Sequence, residues 1–188
     1  MQLVHLRTDE LEAGLDHIRS APTDGGTLEL IVRRPAVDHR EILATGQLSL
    51  TEGLVGDSWK DRPSSRSDDG GPHPDMQLNV INARLSAMLA GADDEQRALA
   101  GDQLHVDLDL SHANLAPGTQ LAIGDAVIEI TEQPHTGCAK FAARFGKDAL
   151  RFVNIGAGKA LRLRGLNARV VQPGTIRSGD RVSKVSRL

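Results

Sequence analysis

The chain has 188 residues, a net charge of -3 at neutral pH, one cysteine and an aromatic content of 2%. This size fits one domain, or one domain with a small appendage, and the dispersed basic residues and scarce aromatic rings argue against nucleic-acid binding. No apolar run approaches the roughly 20 residues of a membrane helix, no signal-peptide pattern is present and one cysteine cannot form an internal disulfide, so we expect a soluble cytoplasmic protein.

The N-terminal segment, residues 1–26, is predicted to be a helical appendage followed by a turn-rich linker. Asp9 is a candidate helix cap, and Glu12 is the matching partner of a capping box. Apolar side chains recur on one face of this helix. We expect the helix to cover an open end of the main fold, which would occupy residues 27–188.

Two strands and a tight turn are predicted next. Residues 27–34 are rich in leucine and β-branched side chains, and a second strand is expected at about residues 47–51. The glycines within residues 53–56 allow a tight turn, in which Asp57 can accept hydrogen bonds from backbone N–H groups. Arg62 is a candidate contact for an anion, although exposed arginines are commonly only solvated.

A polar loop follows at residues 58–75, rich in serine, proline and glycine and without aliphatic side chains. A loop of this length within a compact domain is usually functional or mobile. His73 lies in it between prolines, with no second histidine or cysteine at the spacing of metal ligands. We therefore interpret His73 as an ordinary loop residue.

The middle of the chain predicts two strands with two helices between them. Residues 76–81 alternate like a strand, Asn82 can cap one helix, and Asp93 or Asp94 can begin another. We expect these helices to pack against one side of a barrel rather than to form a βαβ crossover. Residues 104–110 then alternate as a strand with one solvent-exposed face.

A turn pattern occurs twice in the second half of the chain. Pro-Gly-Thr at 117–119 precedes Gly-Asp at 124–125, and Pro-Gly-Thr at 173–175 precedes Gly-Asp at 179–180. Short strands separated by such turns are typical of antiparallel barrels. The sequence therefore predicts a mainly β (α+β) fold, a barrel of mixed or antiparallel strands with a few peripheral helices.

The only cysteine, Cys138, lies between a predicted strand at residues 126–131 and a predicted helix that begins near Ala139. Unpaired N–H groups at a helix start favour a thiolate, and His135 and Lys140 add nearby positive charge. Such a thiol suits a nucleophile or a soft-metal ligand. The alternative is a cysteine that fills a small apolar gap.

The remaining predicted elements are helices at residues 139–145 and 147–153 and strands within residues 161–171 and 176–185. Phe141 and Phe145 lie on one helix face, which favours a place in the core. The Gly-Ala-Gly-Lys run at 156–159 lacks the spacing of a phosphate-binding loop, so we do not interpret it as one.

Several motifs, in a fixed order around the single cysteine, carry a family resemblance. They are Gly-Leu-x-Gly-Asp (53–57), Gly-Gly-Pro (70–72), Gly-Asp-Gln-Leu (101–104), Pro-Gly-Thr with Gly-Asp (117–125), the Cys138 loop, Arg-Gly-x-x-Ala-Arg-Val-Val (164–171) and Gly-x-Ile-x-x-Gly-Asp (174–180). Together they resemble a stand-alone MOSC domain, the domain type named after the C-terminal part of molybdenum cofactor sulfurases. The resemblance covers about residues 28–185 and implies a MOSC-type β-barrel with peripheral helices.

The resemblance also implies a ligand and a site. Cys138 matches the single cysteine that binds molybdenum in the reductase members, where loop amides and basic or hydroxyl side chains hold the phosphate of the molybdenum cofactor (molybdopterin). The candidate cofactor-binding residues are Thr136, Lys140, Asp57, Arg62 and Gln103. We expect the loop of residues 134–140 to lie beside Asp57 and the 101–104 turn, around one pocket.

The chain departs from the family pattern at two positions. Related reductases often have a histidine before Gly-Gly-Pro, where this chain has Asp69, and Gln103 replaces an asparagine that is frequent in the family. The cysteines of an attached iron–sulfur or haem domain are missing. A reductase of this kind would therefore need a separate electron-donor protein or reductant.

Two classes of function stay open at this stage. The first is a molybdenum-cofactor enzyme that takes oxygen from an N-hydroxylated or N-oxide small molecule, with Cys138 as the soft ligand. The second is a non-catalytic module that carries sulfur as a Cys138 persulfide or delivers the cofactor. A metal-free catalytic thiol is disfavoured, because only His135 stands near and no acid that could orient it is evident.

Overall fold

The computed structural model describes residues 4–186, so the ends of the two predicted segments, residues 1–3 and 187–188, lie outside the described residues. The strands are β1 (Gly26–Arg33), β2 (Glu41–Leu43), β3 (Thr45–Ser49), β4 (Gly53–Leu54), β5 (Leu78–Asn82), β6 (Leu104–Asp107), β7 (Gln120–Ile123), β8 (Ala126–Ile130), β9 (Leu166–Gln172), β10 (Gly174–Arg177) and β11 (Arg181–Lys184). The helices are α1 (Thr8–Ala13), α2 (Leu15–Arg19), α3 (Ala83–Ala90), α4 (Asp94–Ala98), α5 (Ala139–Phe145), α6 (Lys147–Asn154) and α7 (Ala157–Ala160).

Seven strands close into a mixed barrel in the order β11-β7-β8-β9-β5-β6-β1, and the pairing of β1 with β11 completes it. Strand β2 extends the sheet beside β1, while β10, β3 and β4 form a separate small sheet. Alternate side chains point into the barrel and are fully buried, as with Leu121 and Ile123 on β7 and Ile128 on β8. The prediction of a mainly β barrel with mixed strands and peripheral helices is confirmed.

Strands β5 and β6 run parallel, with Val80 opposite Leu104. Asn82 and Asp93 cap α3 and α4 as predicted, each accepting hydrogen bonds from N–H groups of the first turn. The expectation that these helices form no crossover is wrong. Parallel neighbours need a connection that returns to the same end of the sheet, and the two helices supply it.

The outer face of β6 is covered at its centre. Leu104 and Val106 point into the barrel, while His105 lies on the other face, is fully buried and bonds through Nδ1 to Ser86 Oγ of α3 at 2.9 Å. The expected solvent-exposed face is therefore wrong at this position, because the crossover helix that packs over the strand was not foreseen.

A second apolar core lies between helices on the outside of the barrel. Leu11 and Ile18 of the N-terminal helices belong to it, together with Phe141 and Phe145 of α5. The predicted cap of α1 is wrong: the helix begins earlier, and the Glu10 carboxylate accepts the Arg7 backbone N–H at 2.8 Å. Among residues 4–186, no helix has both the length and the apolarity needed to cross a bilayer.

Candidate functional site

Cys138 is the residue immediately before α5, as its turn context predicted, and α5 ends at Gly146. Its side chain is exposed, so the alternative of a cysteine filling an apolar gap is wrong. The preceding loop is clamped to α6: the Gly137 N–H donates to Asn154 Oδ1 at 2.8 Å, and Asn154 Nδ2 donates to the Gly137 carbonyl at 3.2 Å. A Cβ at position 137 would meet the Leu150 side chain at 2.7 Å, so a larger residue there would have to displace that side chain on α6.

A buried polar network ties this loop to the 101–104 turn. Asp102 is fully buried and accepts from Arg164 at 2.7 Å and from His135 Nε2 at 2.8 Å. Burial alone would raise the pKa of Asp102, but the charge of Arg164 and the hydrogen bond from His135 outweigh it and hold that pKa well below its usual range. The orienting acid that the sequence did not reveal therefore exists. No hydrogen bond joins His135 to Cys138 among residues 4–186, so the two do not form a nucleophile–base pair.

The protonation of His135 follows from its surroundings. Burial, and then the charge of Arg164, lower the pKa of His135, although Asp102 opposes both effects. The ring is therefore neutral at pH 7, donates its Nε2 proton to the ionised Asp102 and keeps Nδ1 as an acceptor. Gly165 allows the ring to lie close, since a Cβ there would come within 3.2 Å of the His135 ring.

Arg164 connects this network to the helix that follows the cysteine. Its guanidinium lies over the Phe141 ring of α5, 5.0 Å from the ring centroid, and donates to the Ala100 carbonyl at 3.2 Å. Its Nε is buried and has no hydrogen-bond partner. The turn, the loop and α5 are thus held together by one side chain.

Two of the predicted site residues are structural. Asp57 is buried and accepts from Arg34 at 2.9 Å and from the Trp59 N–H at 2.9 Å, which agrees with the simpler reading of a turn-fixing residue. Gln103 is fully buried. Its side chain accepts a hydrogen bond from the Asn79 N–H at 2.7 Å and donates one to the Gln77 carbonyl, just before β5, at 3.0 Å. Both side chains are buried and hydrogen-bonded within the protein, so neither is positioned for direct contact with a ligand in this conformation.

Four arginines crowd beside α5, and we call them the arginine cluster: Arg34, Arg40, Arg62 and Arg144. Burial, and then the charges of Arg144, Arg34 and Arg62, lower the pKa of Arg40, yet it stays a cation. Desolvation and the Arg34 charge likewise lower the pKa of Arg62. Arg40 Nε is buried without a partner. Crowded cations with a free N–H donor are typical of an anion site.

The acids nearby do not neutralise the whole cluster. Asp57 pairs with Arg34, and Asp38 lies 2.9 Å from Arg144 and 3.7 Å from Lys140. Among the described residues, 4–186, no carboxylate forms an ion pair with Arg40 or Arg62. Lys140 and Arg144 both belong to α5, so the helix that begins after the exposed thiol carries two cations toward this cluster.

The predicted site residues Thr136 and Arg62 line two separate cavities rather than the single pocket that we expected. One, of about 250 Å³, is lined by His112, His135, Thr136, Lys159, Arg162 and Arg164. The other, of about 180 Å³, is lined by Arg34, Arg62, Trp59 and Asn79. Hydrogen bonds still link the predicted parts, because Arg34 donates to the Gly101 carbonyl at 2.9 Å and His135 to Asp102. Thr136 and Arg62 therefore face different cavities.

Comparison with known proteins finds one matching family model and several solved structures with a similar fold. A family model described as MOSC domain matches residues 73–183. The fold is similar to that of YuaD from Bacillus subtilis, with a TM-score of 0.58, 15% identity and coverage of 87% of this chain and 97% of that one. It is also similar to YiiM from Escherichia coli, with a TM-score of 0.55, 21% identity and coverage of 86% and 71%.

A crystal structure of a hypothetical protein is similar as well, with a TM-score of 0.58, 22% identity and coverage of 87% of this chain and 69% of that one. At these identities the likeness concerns the fold alone. No curated protein matches the chain.

Proposed function

The chain belongs to the MOSC domain family, and from this premise we propose that it binds the molybdenum cofactor with Cys138 as the metal ligand. We propose further that it reduces N-hydroxylated or N-oxygenated small molecules. MOSC domains are commonly associated with this cofactor. The single free thiol suits a reducing compartment, so the cytoplasm is part of the proposal.

The observation that carries the proposal is an exposed thiol next to a helix whose cations join the arginine cluster. A thiolate is a soft ligand suited to molybdenum. Among residues 4–186, no group of three or more histidine, cysteine or acidic side chains could hold a metal ion. A cofactor whose pterin already binds its metal needs only one further ligand, so the donor set fits this cofactor.

The arginine cluster fits the anionic end of the same group. Arg40 offers a buried N–H without a partner, and Arg62 and Lys140 are exposed cations that can turn toward a phosphate. Asp57 contributes indirectly by fixing Arg34, and Gln103 by fixing β5. When bound, the cofactor would supply a redox centre that accepts an oxygen atom.

The chain's own part in the reaction would include proton transfer. Reduction of an N–OH group to N–H releases water and consumes two electrons and two protons, and the electrons would come from a separate electron-donor protein. His135 can take a proton at Nδ1 from water and pass it on, since Asp102 stabilises the charged ring. The Asn154 clamp would keep the loop between His135 and Cys138 in place.

The test uses protein from a molybdate-replete host that makes the cofactor. We expect molybdenum and released pterin near one per chain, together with reduction of an N-hydroxylated base by a chemical reductant such as reduced viologen. The Cys138→Ala and Cys138→Ser proteins should lose turnover. A parent protein without molybdenum or pterin would overturn the proposal, as would unchanged turnover in both variants.

The alternative is a non-catalytic sulfur carrier or cofactor-delivery module. The exposure of Cys138 favours it, because a persulfide must be reached by a donor and an acceptor protein. A mass increase of one sulfur atom at Cys138, with thiocyanate release on treatment with cyanide, would support sulfur transfer. Bound cofactor without turnover of any N-oxygenated compound would support delivery.

A further inference from the structure

The cavity lined by Thr136 and His135 carries an excess of positive charge that the preceding proposal does not use. We call it the basic cavity, after Lys159 and Arg162 in its wall. No ion pair joins either side chain to an acid of residues 4–186, and Glu132 is the one acid among the lining residues. Burial lowers the pKa of Arg162, which nevertheless stays charged.

His112 lies close enough to both cations for their charges to change its pKa. Burial, then the charge of Arg162 and then that of Lys159, lower the pKa of His112. The ring is therefore neutral at pH 7 and can act as a hydrogen-bond donor or acceptor, while the two cations beside it keep their charge. The positive potential at this end of the basic cavity comes from Lys159 and Arg162.

Arg162 is held in a backbone conformation that favours glycine. Its φ is 49°, and its carbonyl accepts the Gly165 N–H at 2.7 Å while its Nη1 donates to the Leu115 carbonyl. Residues other than glycine seldom adopt this backbone conformation, and those that do cluster at ligand sites. The turn fixes one end of the guanidinium in the cavity wall without giving it an acidic partner.

Part of the lining is apolar. Val153 and Leu166 are buried apolar side chains there, and Pro134 lies in the same lining. A volume of about 250 Å³ accommodates a ring or a short branched chain. His135 lies in the lining too, on the segment that leads to Cys138, so the basic cavity joins an anion-attracting end to the proton-transfer group.

We propose that the basic cavity binds a small organic anion with an apolar body, a carboxylate or a phosphate monoester, through Lys159 and Arg162. This anion is the substrate class of the proposed reductase, an assignment that rests on the proposed function. The negative group lies at the Lys159 and Arg162 end, and the group to be reduced lies toward His135 and Thr136. The arginine cluster remains the place for the anion of the cofactor.

The first experiment uses protein made in a host that cannot synthesise the cofactor. Calorimetry measures binding of benzoate, phenyl phosphate and the neutral benzamide. Benzoate or phenyl phosphate should bind at least about tenfold more tightly than benzamide. Preference for one of the two anions identifies the headgroup. Equal affinity for benzamide would overturn the proposal.

Variants then localise the anion. Lys159 is exposed, so Lys159→Met should fold normally and weaken benzoate or phenyl phosphate binding by about fivefold or more. Arg162→Gly removes the guanidinium while suiting the local φ, and should weaken it further. Arg177→Gln, at an exposed position of β10, is the charge-matched control and should bind as the parent does. Unchanged affinity in both cavity variants would overturn the assignment.

Experiments on cofactor-loaded protein distinguish a failure of this proposal from a failure of the proposed function on which it rests. Lys159→Met and Arg162→Gly should keep the parent's molybdenum and raise KM for anionic N-hydroxylated substrates but not for neutral ones. Lost molybdenum in both variants would mean that the basic cavity holds the cofactor's phosphate, which overturns the substrate assignment. A parent without molybdenum whose variants still lose benzoate binding would refute the reductase and leave the anion site standing.

Discussion

The protein contains two sets of arginines that differ in how their charge is balanced. Arg164 is buried, pairs with the fully buried Asp102 and stacks on Phe141. Within the arginine cluster Arg34 and Arg144 pair with acids, but no acid of residues 4–186 pairs with Arg40 or Arg62, which we call the unmatched set. Arg40 has other arginines as neighbours and a buried Nε without a partner. Removing one partner of a buried pair leaves the other charge uncompensated and destabilises the fold, whereas unmatched cations repel each other until an anion binds. The first set is therefore structural and the second is suited to binding.

The largest effect should come from breaking the matched set. Asp102→Ala leaves Arg164 buried without its carboxylate, and we expect the free energy of unfolding to fall by about 3 to 5 kcal/mol. Urea unfolding measures it. Asp38→Ala, which removes an exposed partner of Arg144, is the control and should change stability by less than about 1 kcal/mol. Equal losses in the two proteins would contradict the division into two sets.

The second largest effect should come from acid, which should lower the free energy of unfolding through a buried histidine. Burial, opposed by the charge of Asp102 and reinforced by those of Arg97 and Arg164, lowers the pKa of His105 from its ordinary 6.5 to about 4. The unfolded chain then binds more protons between these values, so this contribution is complete above pH 6.5 and lost as pH falls toward 4, up to about 3 kcal/mol.

The measurement for His105 is the free energy of unfolding against pH. His105→Gln should have a smaller slope between pH 4 and 6.5 than the parent, whatever its stability at pH 7. His135, whose pKa is also lowered, contributes to the slope that remains. Parallel curves for the two proteins would show that the buried His105 is not what titrates.

A smaller effect on stability is expected at the exposed thiol. Cys138→Ala removes a side chain with little packing, so the free energy of unfolding should change by less than about 1 kcal/mol. Turnover and molybdenum content should nevertheless be lost if Cys138 is the metal ligand, as proposed. Thermal unfolding and metal analysis of the same samples test both parts. A large stability loss with proportionate activity would indicate a packing role instead.

The smallest effect on stability should come from the unmatched set. Arg40→Gln removes one of several mutually repelling cations. We therefore expect the free energy of unfolding to stay unchanged or to rise by no more than about 0.5 kcal/mol. Pterin content should fall, because the buried N–H donor for the anion is lost. Arg177→Gln is the charge-matched control. A loss of stability as large as that of Asp102→Ala would place Arg40 among the structural arginines.

Several elements were predictable because their signals are local. The glycine that ends α5, the Asn82 cap of α3 and the turn before Cys138 all act within a few residues along the chain. The parallel pairing of β5 with β6 was not, since a strand's partner is chosen by which faces can be covered at once. The predicted cap of α1 was wrong because the position before the helix is Arg7, a residue type that gives no capping signal, and the bond is made to its backbone by Glu10.

The candidate site divides in the same way. The sequence alone determined a barrel-type strand pattern, a thiol at a strand-to-helix turn and the family to which these motifs belong, while the structure decided that the thiol is exposed. Only the tertiary structure decided that Asp102 meets His135 and Arg164, which lie 33 and 62 residues away along the chain, and that Gln103 is buried. A Gly-Asp pair has the local pattern of a turn, and whether its carboxylate faces water or a buried guanidinium depends on strands that meet only when the barrel closes.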